Sequence, residues 1–512
     1  MNPSRRVALV AAIYLGTFIA SLDISIVNLA LPTLQYALDT DLAGLQWVVD
    51  AYALCLSAFM LSSGPLSDRY GRKLTWLLGV GLFSFGSLLC ALATSLPLLL
   101  FGRAVQGIAG ALLIPGALSI LTQAFHDPGQ RAQVIGGWTS FSALSLILGP
   151  LLGGLLVEHA GWQSIFLINL PLGLLALALG LWGIEETAHP EHAAFDPLGQ
   201  LLSVVWLGAL TYALIAAGEG GWLSPTAWPA LLLAGVGLLG FLFVERRTAR
   251  PLLPLGLFRQ AGFAVCNLAS FVLGFSGYAS LFFLSLFQQV QGASAQQAGF
   301  YLAPQFLAMG ALSMLFGRLQ RHVPLRRLLV LGYLVIGLAM LALAACGTGT
   351  AYPWVGLLLV ALGLGMGLVV PGTGLAVMAS VARERSGMAS ATMNTLRQAG
   401  MAVGIALLGA LLSGRAIVVL GDRLEELGIA DAQRLATQAF TAHRLPGSLA
   451  GLDAELPAAL AEGFRLAMLV AGASALLAAA LLWRLRVSAG PAADTVGASG
   501  RTAGVQLQAD RH

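Results

Sequence analysis

The stretch GIAGALLIPG, residues 107–116, returns later in the chain as GLGMGLVVPG, residues 363–372. A second stretch, GPLSDRYGRK at 64–73, has a weaker copy in GRLQRHVPLR at 317–326. The two copies follow their originals by 256 and 253 residues, and a nearly constant offset is typical of internal duplication. The sequence therefore predicts two related halves built from the same set of elements.

The composition of the 512-residue chain indicates what these halves are made of. Hydrophobic residues make up 58% of the chain and charged residues 10%, whereas a soluble domain carries about 25% charged residues. The mean hydropathy is +0.84. These values exclude a soluble globular protein and indicate an all-α polytopic membrane protein. The net charge of +4 is therefore no sign of a nucleic-acid partner.

Apolar segments long enough to span a membrane recur along the whole chain. A spanning helix needs about 20 apolar residues. We predict fourteen transmembrane helices, or thirteen or twelve if one of the pair between 197 and 244 is re-entrant. The predicted domains are an N-terminal six-helix bundle (1–184), two inserted transmembrane helices (185–260), a C-terminal six-helix bundle (261–486) with a long outer loop (415–465), and a disordered cytoplasmic tail (487–512).

The basic residues predict which side of the membrane each loop occupies. With the N-terminus inside, the inner connections carry 18 basic residues and the short outer loops carry none. Because loops rich in Lys and Arg stay on the cytoplasmic side, both termini are predicted to be cytoplasmic in a multi-pass protein of the cell (inner) membrane. The inner segment EETAHPEHAAFD, residues 185–196, is acidic and departs from this pattern.

Three ionisable residues of the first half are predicted to lie inside the membrane. Asp23 is the only charged residue between Arg6 and Asp39, about 24 Å along its helix from Arg6. Asp50 on the second helix and Arg103 on the fourth reach a similar depth. A buried carboxyl group can gain or lose a proton as its surroundings change, which favours Asp23 as a proton-coupling residue. A static Asp23–Arg103 pair and a hydrated Asp50 are the alternatives.

Four motifs resemble those of one known family. They are LDISIVNLALP (22–32), GPLSDRYGRKL (64–74), the R-x-x-Q-G pattern at 103–107, and ILGPLLGGLL (147–156). All four are similar to motifs of the major facilitator superfamily, in its 14-helix drug:proton antiporter branch (EmrB/QacA type). The resemblance covers nearly all of the chain before the tail, and it implies the major facilitator fold, with two six-helix halves and two extra helices between them.

These motifs and depths give the candidate site residues of the first half. The candidates for proton coupling and substrate binding are Asp23, Asn28, Asp50, Arg103 and Gln106. Asp68 can pair with arginines as a latch with two states, for which a solvated positive-inside loop is the alternative. The resemblance implies a gating motif made of Gly64, Asp68, Arg69, Gly71, Arg72 and Lys73. It also implies an antiporter motif made of Gly149, Pro150, Gly153 and Gly154, for which simple helix packing is the alternative explanation.

The second half offers candidates of a different kind, because its membrane segments contain no acidic residue. Arg397 lies in a predicted helix, where a structural role and contact with an anionic substrate are both open. Aromatic residues at spacings of 4, 3 and 4 predict one aromatic helix face, and the resemblance implies that this helix lines a central cavity. Packing between helices is the alternative. The candidates for cavity lining are Phe271, Phe275, Tyr278, Phe282 and Arg397.

The expected function is proton-coupled efflux, in which hydrophobic small molecules, whether cationic or not, are exported by antiport. A same-fold importer or uniporter of a metabolite is the alternative. No enzyme activity, cofactor or metal site is expected, since catalytic, metal and nucleotide-binding motifs are missing from the sequence and the proton gradient supplies the energy. The expected partners are the small-molecule substrate, protons and the lipid bilayer, and an envelope adaptor protein at the outer loop stays open.

Overall fold

The structure is a computed structural model that describes residues 2–125, 127–187, 196–248, 253, 255–347, 349–381, 386–429, 431–442 and 455–484. The predicted tail (487–512) and residues 443–454 of the predicted outer loop lie outside the described residues. Below, the side of the membrane that bears the N-terminus of the first helix is called the inner side.

Helices form almost all of the described chain. In chain order they are α1 (Pro3–Ala37), α2 (Leu42–Tyr70), α3 (Arg72–Ala91), α4 (Leu96–Ala124), α5 (Pro128–Ala160), α6 (Ser164–Leu167), α7 (Asn169–Gly183), α8 (Pro197–Gly220), α9 (Ala227–Arg247), a 3-10 helix (Leu257–Arg259), α10 (Ala261–Val272), a π-helix (Leu273–Tyr278), α11 (Ser280–Val290), α12 (Ala295–His322), α13 (Leu325–Leu343), α14 (Tyr352–Ala379), α15 (Ser386–Glu426), α16 (Ala432–Ala442) and α17 (Glu455–Arg484).

The apolar lengths of these helices agree with the predicted membrane architecture. Within the described ranges, thirteen helical segments are long and apolar enough to cross a membrane. The 33-residue helix α5 contains a further, shorter apolar stretch, Leu151–Ala160. With α5 included, these helices correspond to the fourteen that the sequence predicts, so the all-α polytopic fold is confirmed.

The helices pack as two bundles that meet along two edges. Helices α1–α7 pack on one another, and so do α10–α17. Between the bundles, α5 packs on α12 along one edge and α2 packs on α15 along the other. The first bundle runs from Pro3 to Gly183 and the second from Ala261 to Arg484.

The two halves are joined on the outer side. The Ser285 hydroxyl donates to the Asn28 carbonyl at 2.7 Å, and the Ser294 hydroxyl donates to the Glu158 carboxylate at 3.4 Å. Buried apolar residues of α1 from Leu22 to Leu34 share one core with the second half, whereas those from Leu9 to Ala20 belong to a separate core within the first half. The described residues therefore form an inward-facing conformation, with the halves closed together at their outer ends.

The inserted pair α8 and α9 lies at one edge of the molecule. Helix α8 packs against both α2 and α15, and α9 packs on α8. The Gln200 amide donates to the Ala58 carbonyl at 2.9 Å and accepts a hydrogen bond from the Ser62 hydroxyl. Gly218 allows α8 to approach the backbone of Ala410 closely. One inserted helix is therefore bonded to the first half and packed on the second.

Helix α15 extends well beyond α2 on the outer side. Gly409 contacts Gln46, one turn inside the outer end of α2, and α15 continues from there to Glu426. At 1.5 Å per residue, this extension measures about 25 Å. Helix α16 folds back against it, with Ala432, Ala436 and Ala439 buried. The outer loop is thus partly a helical hairpin.

Candidate functional site

A buried ionic network lies inside the first half. Asp23 on α1 and Arg103 on α4 form a salt bridge, and both side chains are at most 1% exposed. Gln106 joins both of them: its amide nitrogen donates to Asp23 at 3.1 Å and its oxygen accepts from Arg103 at 2.8 Å. Three of the candidate residues therefore form one hydrogen-bonded unit. The similar predicted depths of Asp23 and Arg103 are compatible with this contact.

Neighbouring helices fix the Arg103 guanidinium in this position. Its Nε donates to the Val48 carbonyl at 3.0 Å, and the guanidinium carbon lies 4.7 Å from the centre of the Tyr52 ring. The centre of the Phe166 ring lies 5.9 Å from the same carbon. A guanidinium keeps its proton in proteins, so these contacts and Asp23 compensate for its burial.

A second layer of polar residues holds Gln106. The Gln106 amide also donates to the Ser87 hydroxyl at 2.8 Å, and the Asn169 amide donates to the same hydroxyl at 3.2 Å. The Tyr52 hydroxyl donates to the Ala20 carbonyl at 3.1 Å. Sequence analysis missed Tyr52, Ser87 and Asn169, because single polar residues in apolar helices carry no spacing signal that would identify them.

Asp50 lies apart from this network, at the surface between the halves. One turn outward on the same face of α2, the Gln46 amide donates to the Ile405 carbonyl of α15 at 3.5 Å. One turn inward, Leu54 packs in one cluster with Leu207 of α8 and with α15. Residues four apart share a helix face, so Asp50 faces α8 and α15. Its side chain is fully buried, and neither oxygen has a hydrogen-bond partner among the described residues.

Asn28 lies at the outer contact between the halves. Its side-chain amide nitrogen donates to the Ile24 carbonyl at 3.0 Å, and its backbone carbonyl accepts a hydrogen bond from the Ser285 hydroxyl. Its side-chain oxygen is buried without a partner among the described residues. Asn28 is therefore separated from the Asp23 network and contributes to outer closure.

The predicted gating motif lies at the inner ends of α2 and α3. Gly71 is the N-cap of α3 and has φ +107°, a conformation that favours glycine. The Glu186 carboxylate accepts from the backbone N–H groups of Lys73 and Leu74, each at 3.0 Å, and so caps α3 from a distant segment. Arg69 is exposed.

The remaining residues of this motif are described in part. The backbone N–H of Arg72 donates to the Thr187 carbonyl at 3.0 Å, and the Lys73 ammonium donates to the Leu181 carbonyl at 2.7 Å. The surroundings of Gly64 and the side chain of Asp68 are outside the described part of the structure, so the predicted role of Asp68 as a latch stays a prediction.

The predicted antiporter motif packs α5 against α1. Gly149 lies against Ser25, and Gly153 lies against Ile26. Gly154 is buried, and the side chain of Pro150 lies outside the described residues. A side chain at position 149 or 153 would meet the backbone or side chains of α1, so these glycines permit the close approach of the two helices.

The predicted aromatic face is divided by the π-helix. Phe275 and Phe282 are buried, whereas Phe271 and Tyr278 are partly exposed. The rings of Phe271 and Phe275 stack with their centres 6.4 Å apart. Arg397 on α15 is also partly exposed, and its guanidinium carbon lies 5.8 Å from the Tyr278 ring centre. Tyr278, Phe271 and Arg397 are thus the accessible members of this group.

An apolar groove opens at the inner side of the first half. Its volume is about 620 Å³, within the range of about 300–1,000 Å³ that small-molecule sites occupy. We call it the inner groove. It is lined by Arg6, Val7, Val10, Ala11, Tyr14, Leu15, Phe125, Val134 and Phe141.

Comparisons with known proteins agree with this architecture. The chain is 35% identical to the multidrug resistance protein Stp of Mycobacterium tuberculosis (strain CDC 1551 / Oshkosh), over 94% of this chain and 92% of that protein. It is 33% identical to the tetracenomycin C resistance and export protein of Streptomyces glaucescens, over 92% and 90%.

The fold is also similar to a solved transporter. The crystal structure of a bacterial homolog of the human lysosomal transporter Spinster, in an inward-facing and unoccupied conformation, superposes with a TM-score of 0.63 at 22% identity, over 94% of this chain and 97% of that one. A sequence profile of the Major Facilitator Superfamily matches residues 13–405. The chain belongs to the Major Facilitator Superfamily.

Proposed function

We propose that this transport protein exports hydrophobic small molecules in exchange for protons, from the cytoplasm across the cell membrane in which both of its termini face inward. Its curated relatives include multidrug and antibiotic resistance proteins, which supports efflux. The inner groove supports a hydrophobic substrate, because it is apolar and of drug size. Proton entry yields about 2.3 kcal/mol per 100 mV of membrane potential, enough for tens-fold accumulation.

The observation that carries proton coupling is the contrast between the two buried carboxyl groups. Asp23 is held by Arg103 and Gln106 within one half, where a movement between the halves leaves its partners in place. Asp50 is buried at the α2–α15 contact without a partner among the described residues. Burying an unpaired carboxylate is costly, so we propose that Asp50 carries a proton into this inward-facing conformation. It releases the proton to the cytoplasm when substrate binds, before the halves reopen outward.

The test is proton flux in inverted membrane vesicles. Addition of a transported hydrophobic drug to the native protein releases protons from the acidified lumen. With Asp50→Asn this release falls at least tenfold, because asparagine is isosteric with the acid but cannot exchange a proton. Asp422→Asn removes a carboxyl group from the exposed outer part of α15 and leaves the release unchanged. Native-like release by Asp50→Asn would overturn the role of Asp50.

Two further outcomes bear on the direction of transport. If no compound releases protons with the native protein, export by proton antiport is wrong. If a compound instead enters the cell together with protons, the chain is an importer.

A further inference from the structure

The second half carries a cation in the membrane and no anion to match it. The sequence has no Asp or Glu between Glu245 and Glu384, and none between Glu384 and Asp422. Arg397 lies in the second of these intervals, eleven residues into α15. A guanidinium keeps its charge in proteins, and charges at membrane depth are costly unless they are paired or serve a function.

The position of Arg397 on α15 directs it toward the space between the halves. Gly400 and Gly404 lie on the face of α15 that contacts α10 and the π-helix, and Gly409 lies on the face that contacts α2. At 100° per residue, Arg397 falls between these two faces, closer to the first. Asn394, one turn earlier, lies in the same interval between the faces.

The second wall of this space comes from the π-helix. Tyr278 lies seven residues before Ser285, which donates to the Asn28 carbonyl on α1 of the first half. Tyr278 also contacts Arg397, so its ring lines the same space. Tyr278 and Arg397 are both partly exposed, and the guanidinium carbon lies 5.8 Å from the ring centre.

Arg397 has few partners for its donors. Its Nη2 donates to the Asn394 side-chain oxygen at 2.6 Å. Among the described residues it forms no salt bridge, since Asp23 is bound to Arg103 and Asp50 accepts no hydrogen bond. The guanidinium has five N–H donors in a planar fork that fits the two oxygens of a carboxylate. The group is therefore accessible, charged and incompletely bonded.

We infer that Arg397, Asn394 and Tyr278 form a binding site for the anionic group of a hydrophobic substrate, such as a carboxylate or a sulfonate. Arg397 binds the anion, Asn394 orients the guanidinium, and the Tyr278 ring packs against the apolar body next to it. The site rests on the proposed export function and specifies its substrate class as lipophilic anions, because a cationic group would be repelled by Arg397.

The test uses equilibrium binding of two pyrene probes, since binding does not depend on proton coupling. One probe is pyrenebutanoate and the other is the pyrenebutyl trimethylammonium ion, which share the apolar body and differ in charge. Binding is measured by fluorescence with the full chain in nanodiscs of neutral lipid. The native protein is expected to bind the carboxylate at least tenfold more tightly than the ammonium.

Substitutions then connect this preference to Arg397. Arg397→Gln abolishes the preference by weakening carboxylate binding about tenfold, and Arg397→Lys keeps part of it because the charge remains. Arg415→Gln is the matched control, since it removes the same charge from an exposed position on the same helix and leaves the preference intact.

Three results would overturn the inference. In the first, the native protein binds the two probes equally or binds the ammonium more tightly. In the second, folded Arg397→Gln binds the carboxylate as tightly as the native protein does. In the third, the native protein binds neither probe. The first and third need no variant, so a misfolded variant does not rescue the inference. An Arg397-dependent carboxylate preference without proton release in vesicles keeps the anion site and overturns only proton antiport.

Discussion

At the residue scale, the Asp23–Arg103 pair combines two charges that are 80 positions apart in the sequence and buried together in one bundle. Such a pair is held by its geometry and its further hydrogen bonds more than by its charges alone, because both ions have lost their water. Gln106 and the Val48 carbonyl supply these additional bonds.

The pair predicts a strongly non-additive effect on stability. Asp23→Asn leaves the Arg103 charge buried without its partner, so the free energy of unfolding is expected to fall by about 3–5 kcal/mol. Arg103→Gln alone has a similar effect, and the double variant loses less than the sum of the two by about 0.5–3 kcal/mol. Chemical unfolding in detergent micelles measures all three, and simple additivity would show that the residues do not interact.

The sequence predicted the depth of these residues, because helix rise converts residue number into distance along the membrane normal. The sequence did not predict which of these side chains contact one another. Asp50 has a depth similar to that of Asp23, yet it faces α8 and α15, and this direction depends on how separate helices are arranged. The second-layer residues Ser87 and Asn169 were beyond prediction for the same reason.

At the element scale, the acidic segment after α7 acquires a clear role. Helix α3 begins after Gly71, whose lack of a side chain leaves the first N–H groups of the helix without a local cap. The Glu186 carboxylate supplies that cap, and Glu185 forms a salt bridge with Arg5 at 3.3 Å. Negative charge at a helix N-terminus is stabilising, which accounts for Glu186 at the start of this inner loop.

Removal of the Glu186 carboxylate is expected to loosen the start of α3. Glu186→Ala should destabilise this helix end by about 1 kcal/mol. Hydrogen exchange measured by mass spectrometry then shows faster exchange in the peptide that contains Lys73 and Leu74. Glu186→Gln keeps an acceptor and has a smaller effect.

Glu185→Ala provides the comparison for this helix end. It removes an exposed ion pair, for which we expect little change, because such pairs contribute between about 0 and 1 kcal/mol. Equal exchange in the Glu186→Ala and Glu185→Ala variants would contradict the capping role of Glu186.

Element types were largely predictable, since long apolar segments leave few alternatives to membrane helices. The π-helix was not predicted. Its extra residue per turn changes which side chains share a face, so that Phe275 is buried while Tyr278 is partly exposed. A simple spacing of 4, 3 and 4 assumes a regular α-helix throughout.

At the scale of the whole molecule, the outer contacts keep the halves closed on one side of the membrane. Transport requires these contacts to separate when the inner side closes. The Ser294–Glu158 contact joins α12 to α5 across the two halves, and it lies at the outer ends of both helices.

A covalent link at this contact is expected to stop transport. In a variant without its native cysteines, Glu158→Cys and Ser294→Cys are joined with a short bismaleimide, and substrate efflux from cells is expected to fall at least tenfold. The control pair Arg423→Cys and Glu426→Cys lies on exposed positions of one helix, where a link leaves efflux unchanged. Full efflux with the Glu158–Ser294 link in place would show that this contact does not open during transport.

The position of α8 makes the two edges of the molecule unequal. A duplicated chain has an approximate two-fold axis, and its α2–α15 and α5–α12 edges are related by that axis. Helix α8 is bonded to α2 through Gln200 and packed on α15 through Gly218, so a rotation of one half against the other must shear at least one of these attachments. We therefore expect α8 to resist rocking of the halves at the α2–α15 edge, and we expect the larger displacement at the α5–α12 edge.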